Sequence, residues 1–266
     1  MRALVLMGFL AAMIVAGPAS ASSYSTDQSD LWYNPNESGW GTQLVQRGPT
    51  IFATMFVYDQ AGNPIWYTAT LNTAGSLLWS GDLLLTNGPW FGTVPFSPGT
   101  VGYRRVGTMS WTANTVTDGT LEYSVDGVHV VKNLTRQTLV FDNYSGRYQG
   151  ATHRVISGCL NPIYNGTLDR TGGVLDVQHN GTSITMQGVD TSIGAACAYT
   201  GTFSQAGQMG AVNASFACND GSTGTARFFE LQISTSGFTG RFETTYSNPP
   251  GCRGSGWTGA TRATTL

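Results

Sequence analysis

From residue 22 onward the chain consists of short runs in which apolar and polar residues alternate. These runs are rich in Thr, Val, Tyr and Trp, and Gly, Asn, Asp and Pro separate them, which is the pattern of antiparallel strands joined by tight turns. No amphipathic helical period of useful length occurs. The first strand is predicted at 40–46, and two later runs, 164–169 and 173–179, are predicted as separate strands. The pattern therefore predicts an all-β protein.

A turn signal at 126–127 predicts how two of these strands pair. The sequence there is Asp-Gly, which favours a two-residue type I′ turn. Such a loop places Val125 opposite Val128. The same register places Tyr123 opposite Val130, so the alternation of side chains and the turn predict the same hairpin.

A second turn signal, Asn-Gly, lies at 180–181. It predicts another type I′ hairpin. In that register Val177 faces Ile184 and Leu175 faces Met186. These pairs would form one apolar face of the hairpin.

The number of strands and the consecutive hairpins predict two small antiparallel units. Each is an up-and-down barrel, lipocalin- or avidin-like by analogy of architecture, or else a sandwich. The predicted units are an aromatic-rich domain at 22–141 and a disulfide-stapled domain at 142–266. Six of the seven tryptophans precede this boundary, and all four cysteines follow it.

The N-terminal 21 residues have the features of a secretory signal peptide. Arg2 precedes the apolar run 3–17, and Ala19-Ser20-Ala21 forms a small-residue cleavage site. The apolar run is shorter than the ~20 residues that a membrane-spanning helix needs, and no later segment approaches that length. We therefore expect an exported protein, periplasmic or extracellular, that lacks a membrane span.

The four cysteines of an exported chain predict two disulfides. A two-residue loop with Gly207 first would place Cys197 and Cys218 opposite each other, as a non-hydrogen-bonded pair close enough to bridge. That pairing leaves Cys159 to bond Cys252, near the two ends of the second unit. A metal site is the alternative, but there is no C-x-x-C and no histidine at ligand spacing, so we expect no metal.

The composition excludes several classes of partner. Only 11% of the residues are charged, the formal net charge is −2, and Lys132 is the only lysine. Such a chain has no basic field with which to hold nucleic acid or an anionic membrane surface. Its aromatic content, also 11%, is too high for a disordered chain.

Motifs for common chemistries are missing from the sequence. There is no G-x-S-x-G, H-E-x-x-H, P-loop or EF-hand loop. The segment 254–259 spells G-x-G-x-x-G, but no helix or βαβ unit follows it, so it does not predict dinucleotide binding. The sequence therefore assigns no catalytic residue and no cofactor.

The segment 32–41, WYNPNESGWG, places one acid among aromatic residues. An acid beside aromatic platforms suits the stacking of a sugar or another flat ligand. We therefore expect a carbohydrate or small molecule to bind at a surface that residues of this segment form together with one further tryptophan. Its candidate residues are Trp32, Tyr33, Glu37, Trp40 and Trp90.

Two other roles are open to Glu37. It could accept hydrogen bonds from backbone N–H groups or from a tryptophan N–H in a tight turn. It could also act in glycoside hydrolysis, which needs a second carboxyl ~5–10 Å away. Asp59 and Asp82 are conceivable partners for that reaction.

The first half resembles a module of uncharacterised exported bacterial proteins. Its hallmark, W-[WY]-N-P-x-E-S-G-W-G, is matched at 32–41, and F-A-T-x-F-x-Y-D-x-x-G-x-P-x-W is matched from Phe52 to Trp66. Further matches include D-G-T-x-x-Y-x-V-[ND]-G at 118–127, and the whole resemblance covers about 30–140. It implies an exported all-β module and transfers no catalytic residue.

These observations favour an exported bacterial binding or surface-interaction protein that is not an enzyme. One alternative is a secreted, glycoside-directed hydrolase that uses Glu37 and a second carboxylate. Another is a structural component of the cell envelope.

Overall fold

A computed structural model describes residues 27–191 and 194–263, which form two closed antiparallel barrels of eight strands each. The prediction of an all-β protein with two barrel units is thus confirmed. The predicted leader, 1–21, lies outside the described residues. Within the part of the chain that is described, no helix has the length and hydropathy needed to cross a membrane.

Barrel 1 is built from the first eight strands in sequence order, with β8 pairing back to β1. A short 3₁₀ helix lies in the β5–β6 loop at Pro98–Thr100. The strands are β1 Asp30–Tyr33, β2 Gly41–Arg47, β3 Thr50–Tyr58, β4 Pro64–Gly75, β5 Leu78–Asn87, β6 Gly102–Ala113, β7 Asp118–Val125 and β8 Val128–Arg136.

Barrel 2 has the same up-and-down order, and β16 closes it against β9. A 3₁₀ helix, Pro162–Tyr164, lies between β9 and β10. The strands are β9 Gly146–Ser157, β10 Gly166–Asn180, β11 Ser183–Asp190, β12 Ala195–Ala206, β13 Met209–Cys218, β14 Thr223–Ile233, β15 Gly237–Asn248 and β16 Arg253–Arg262.

Two strand predictions are wrong. The sequence pattern missed β1, because this strand is only four residues long and the turn at 34–40 follows it directly. The runs 164–169 and 173–179 are one continuous strand, β10, whose register shifts between Thr171 and Gly173. A bulge of this kind accommodates an extra residue without ending the strand.

The hairpin at 126–127 has the predicted register. Val125 pairs with Val128 and Tyr123 with Val130. Both loop residues have positive φ, 47° at position 126 and 88° at position 127, as a type I′ turn requires.

The register predicted at 180–181 is wrong by two residues. Val177 pairs with Met186, and Asn180 pairs with Ser183 to flank the loop. The loop therefore consists of 181–182, and Gly181 takes the positive φ of 59° at its first position. Because the side-chain period of a strand is two, this shift leaves Val177, Ile184 and Met186 on the same face, and all three are buried in barrel 2.

Both predicted disulfides are present. Cys197 on β12 faces Cys218 on β13, with their Cα atoms 4.0 Å apart. Cys159 bonds Cys252 and joins the end of β9 to the start of β16, the strand pair that closes barrel 2. Disulfides persist in oxidising compartments, so they indicate a location outside the cytoplasm.

Inward-facing side chains fill both barrels. In barrel 1, Trp32, Trp79 and Trp111 are fully buried. Aliphatic residues from each of the strands β2 to β8 are buried with them. In barrel 2 the interior consists of tyrosine, phenylalanine and aliphatic side chains around Tyr148 and Val212. A lumen filled in this way holds a core rather than a ligand cavity.

The buried side chain of Arg136 fixes the start of the described chain to the end of barrel 1. Its guanidinium donates to the carbonyls of Asp27, Ser29 and Val116 and forms a 3.1 Å ion pair with Asp30. Burial lowers the pKa of Arg136 from its usual value, and the Asp30 carboxylate opposes that shift. Arginine stays charged even so, because its reference pKa is so high.

The same corner of barrel 1 meets barrel 2. The backbone N–H of Gln208 donates to the Asp30 carboxylate over 2.9 Å, and that of Gly207 donates to the Thr138 hydroxyl over 2.9 Å. The Gln205 side chain binds both the linker carbonyl of Val140 and the backbone N–H of Asp142. The β12–β13 turn is therefore tied to barrel 1 and to the linker, 137–145.

Candidate functional site

The five residues predicted as a ligand surface lie in separate parts of barrel 1. Trp32 is in the core, where its Nε1 donates to the Gln28 carbonyl over 2.9 Å and its ring centroid lies 4.5 Å from that of Trp111. It is 0% exposed, so it does not contribute to a surface platform, contrary to the prediction. The cause is the missed strand β1, which directs this side chain into the barrel. Tyr33, the next residue, is half-buried.

Glu37 and Trp40 lie in the loop 34–40, and Lys132, the only lysine of the chain, contacts both. Lys132 Nζ donates to both carboxylate oxygens of Glu37 over 2.9 and 2.7 Å, and Trp40 Nε1 donates to the same carboxylate over 3.2 Å. Strand β1 pairs with β8 at only two positions. The contact between Glu37, which follows β1, and Lys132 on β8 therefore joins the two closing strands of barrel 1 beyond the point where their backbone pairing ends.

This geometry gives Glu37 a structural role. The hydrogen bond from Lys132 holds the pKa of Glu37 below its ordinary value, whereas the general acid of a glycosidase needs a raised pKa. Neither conceivable partner is poised for that reaction. Asp82 forms an ion pair with Arg105 at 2.7 Å, and Asp59 accepts backbone hydrogen bonds within its own turn.

Trp90 belongs to an exposed apolar segment, the β5–β6 loop at 88–101. Trp90 is 68% exposed, and Phe91 and Val94 are more exposed still. The loop contains no charged residue. A Cβ at Gly92 would collide with the Trp90 ring, so glycine at this position lets the indole fold over the backbone. No contact joins this loop to Glu37 or Trp40 among the interactions of the described residues.

A different set of side chains forms a site on the outside of barrel 2. Register places five outward residues directly opposite one another across strands β14, β15, β16, β9 and β10. We name this set the Trp257 row. In strand order its members are Phe229, Arg241, Trp257, His153 and Asp169.

Contacts between neighbours hold the Trp257 row in place. The Arg241 guanidinium lies 5.2 Å from the Phe229 ring, and the His153 ring lies 5.5 Å from that of Trp257. His153 Nδ1 and the Asp169 carboxylate are 2.5 Å apart. The indole of Trp257 is thus flanked on both sides by polar groups, yet it is 55% exposed.

Small residues form the next outward row, one step along the strands toward the linker. Thr239 is opposite Gly259, Gly259 is opposite Ala151, and Ala151 is opposite Thr171. Because none of these side chains is large, the surface is recessed beside Trp257. The recess has a volume of about 540 Å³, and the row of small residues forms its floor.

A bulge in β14 supplies a further acid. The register shifts between Phe229 and Gln232, and Glu230 has a positive φ of 51°. Its carboxylate accepts from Arg241 over 3.2 Å and is only 9% exposed. The recess is therefore bordered by two acid–base pairs, Glu230 with Arg241 and Asp169 with His153.

The recess continues into a larger one at the junction of the barrels. The second cavity, about 1010 Å³, shares Ala151, Gln232, Thr239 and Gly259 with the first and reaches the linker. Asp27 borders the smaller recess and Asp30 the larger. We call the two together the barrel 2 groove. It runs from Trp257 to residues 137–142.

Sequence reasoning missed this site because its residues are spread over five strands. One signal was present, since Trp257 is the only tryptophan of the second half. It lies within the G-x-G-x-x-G segment, 254–259, which is strand β16. There Gly256 faces inward against the His153 carbonyl, and Gly259 faces the groove.

Among residues 27–191 and 194–263 no cluster of three or more His, Cys, Asp or Glu side chains is arranged to hold a metal ion.

No family model and no curated protein matches the chain. Two of the solved structures that align with it are of the vaccine antigen Transferrin Binding Protein B from Haemophilus parasuis Hp5. The Tyr-167-Ala and Trp-176-Ala double mutant aligns at 10% identity and a TM-score of 0.35, and the Trp-176-Ala mutant at 9% and 0.26. The alignments cover 88% of this chain but only 62% and 63% of those chains, so this chain spans about three fifths of their length.

Proposed function

We propose that this chain is an exported, non-catalytic binding protein that holds its ligand on the outside of barrel 2, in the barrel 2 groove. One observation carries the proposal: a recessed floor of small residues lies directly beside an exposed tryptophan that is flanked by hydrogen-bonding groups. A concave surface with an aromatic side chain and a few placed polar groups is the usual form of a ligand site.

The filled interiors favour an outside site. A ligand carried within a lipocalin-type barrel needs an open lumen, whereas barrel 1 is occupied by three tryptophans. Barrel 2 is likewise occupied by Tyr148 and its neighbours. The groove instead lies at the junction of two domains, a frequent location for ligand sites.

Two of the carboxylates that line the groove are engaged in pairs, which favours a binding role for them. Asp169 is paired with His153 and Glu230 with Arg241. Paired groups of this kind present both hydrogen-bond donors and acceptors to a ligand. The apolar loop around Trp90 adds a second exposed surface, of a composition typical of interaction sites, on barrel 1.

The proposal is tested by filling the groove. A Cβ at Gly259 would meet its nearest heavy atom, in the Thr239 side chain, at 3.6 Å, so Gly259→Leu adds a side chain to the floor without displacing backbone. Gly166→Leu is the matched control, because Gly166 has open space for a Cβ and lies outside the groove. Both variants are compared with wild type on arrays of glycans, peptides and small molecules.

We expect each ligand of the wild-type protein to bind Gly259→Leu at least about tenfold more weakly, a change of about 1.4 kcal/mol. Gly166→Leu should bind like wild type. Ligands that bind all three proteins equally would contradict the proposal and would direct attention to the loop around Trp90.

A further inference from the structure

We infer that the ligand of the barrel 2 groove is a neutral oligosaccharide with one pyranose ring stacked on Trp257. This inference rests on the proposed function and adds the chemical class of the ligand. It follows from the shape, the spacing and the charge of the Trp257 row and of the floor beside it.

Trp257 provides the platform. Its neighbours across the strands are Arg241 and His153, the His153 ring lies 5.5 Å from its own, and about half of its surface is open to solvent. An aromatic face presented in this way suits a ligand with a flat apolar side and a polar edge. The C–H face and the ring of hydroxyls of a pyranose have this character.

Polar residues stand on the strands at both sides of the platform. Neighbouring strands lie about 4.8 Å apart, so the Cα atoms of Arg241 and His153 lie about 5 Å to either side of that of Trp257. Beyond them, Glu230 binds Arg241 and Asp169 binds His153. Each side thus offers a donor beside an acceptor, which matches adjacent hydroxyls, since every hydroxyl both donates and accepts.

The charge of the groove disfavours anionic ligands. Arg241 is matched by Glu230, and the Asp169 carboxylate is engaged by His153. Asp27, Asp30 and Asp142 also border the groove, so a polyanion would find no unopposed positive charge in this row and further carboxylates beside it. A neutral ligand therefore fits the groove better than a nucleic acid or an acidic glycan does.

The closed barrel also disfavours an extended peptide. A peptide bound by strand addition needs an unpaired sheet edge, and closure of β16 against β9 removes the edge at the groove. Recognition must therefore come from side chains, as it does for sugars.

The groove has room for more than one sugar ring. Outward rows on a strand repeat every second residue, about 6.6 Å, so the rows of Trp257, Gly259 and Thr261 span about 13 Å. All three residues line the groove. We infer that further rings extend from Trp257 over Gly259 toward the linker.

The test is a calorimetric titration with cellohexaose, maltohexaose, chitohexaose and mannohexaose, and with hexagalacturonate as an anionic comparison. The variants are Trp257→Ala, Trp257→Phe and Trp66→Ala. Trp66 is the matched control because it is outward-facing on barrel 1 and 52% exposed, against 55% for Trp257.

We expect at least one neutral hexaose to bind wild type more tightly than hexagalacturonate does. Trp257→Ala should weaken this binding at least about tenfold, Trp257→Phe should retain part of it, and Trp66→Ala should leave it unchanged. Binding of none of the four neutral sugars would overturn the inference, as would tighter binding of the anionic one.

Failure of the ligand class is distinguishable from failure of the site. If no sugar binds but another ligand from the arrays is lost in Gly259→Leu, the groove stands as the site and the saccharide assignment falls. If a sugar binds Trp257→Ala and Gly259→Leu as tightly as it binds wild type, both proposals fall.

Discussion

The two barrels share strand number and topology but are stabilised in different ways. Barrel 1 buries three tryptophans, Trp32, Trp79 and Trp111, and contains no cysteine. Barrel 2 buries no tryptophan among its described residues, and two disulfides join its strands. An eight-stranded barrel can thus be stabilised by a lumen that contains tryptophans without any covalent link, or by a lumen of tyrosine, phenylalanine and aliphatic side chains together with covalent links between strands.

Inward glycines occur in both barrels, for example Gly81 and Gly107 in barrel 1, but in barrel 2 they also lie on the strands that close the barrel. Inward positions on the closing strands of barrel 2 are occupied by glycines such as Gly150 and Gly256, where a Cβ would collide with the backbone of the neighbouring strand. Each such position buries no side chain and has a larger conformational entropy in the unfolded chain. The disulfide between Cys159 and Cys252 lies at this same closure and offsets that loss.

Removal of both disulfides should have the largest effect and should be confined to barrel 2. The bonds close loops with sequence separations of 93 and 21 residues, which by loop entropy correspond to about 4–5 and about 3 kcal/mol. We expect hydrogen exchange of a variant with all four cysteines replaced by serine to rise throughout barrel 2 and to stay near the wild-type level in barrel 1. An equal rise in both barrels would show that the two unfold as one unit.

Trp111→Ala should have the next largest effect, and it should fall on barrel 1. The side chain is fully buried against Trp32, and such truncations cost about 3–5 kcal/mol. Denaturant unfolding followed by tryptophan fluorescence measures this loss. Trp66→Ala, which removes an exposed tryptophan, should stay within about 0.5 kcal/mol of wild type. Similar losses in the two variants would contradict the assignment of the core.

Glu37→Gln should have the smallest effect, and the effect should depend on pH. Because Lys132 lowers the pKa of Glu37 in the folded state, the ion pair stabilises the protein above the ordinary glutamate pKa, and this contribution is lost as the pH falls through the folded-state value. We expect wild type to melt higher than the variant at pH 7, by less than about 4 °C, and the difference between the two to shrink as the pH falls through the lowered pKa of Glu37. A substrate whose hydrolysis disappears in the variant at unchanged melting temperature would instead identify Glu37 as catalytic.

Local signals made much of the fold predictable. The Asp-Gly turn at 126–127 specifies its hairpin, and the loop that begins at Gly207 places Cys197 opposite Cys218. By contrast, the Asn-Gly signal at 180–181 is compatible with two registers that differ by two residues and direct the same side chains inward. Only packing in the complete barrel selects between them, and the sequence pattern does not describe that packing.

The candidate site was not predictable by the same means. Trp257 and His153 are more than 100 residues apart, and they become neighbours only when β16 closes against β9. The aromatic cluster at 32–41 drew attention instead, but the short strand β1 directs Trp32 inward, and Lys132 binds Glu37. A local motif contains only residues that are close in sequence, whereas the residues of the groove become neighbours only when β16 pairs with β9 and closes barrel 2.

Closure also sets an order for oxidative folding. Cys197 and Cys218 meet within one hairpin, but Cys159 and Cys252 meet only after strands β9 to β16 have come together. Because the entropy cost of closing a loop grows with its length, we expect the hairpin bond to form first and the closing bond last. The pairing of β9 with β16 that brings Cys159 to Cys252 is also the pairing that places His153 beside Trp257, so the closing disulfide and the groove share one structural requirement.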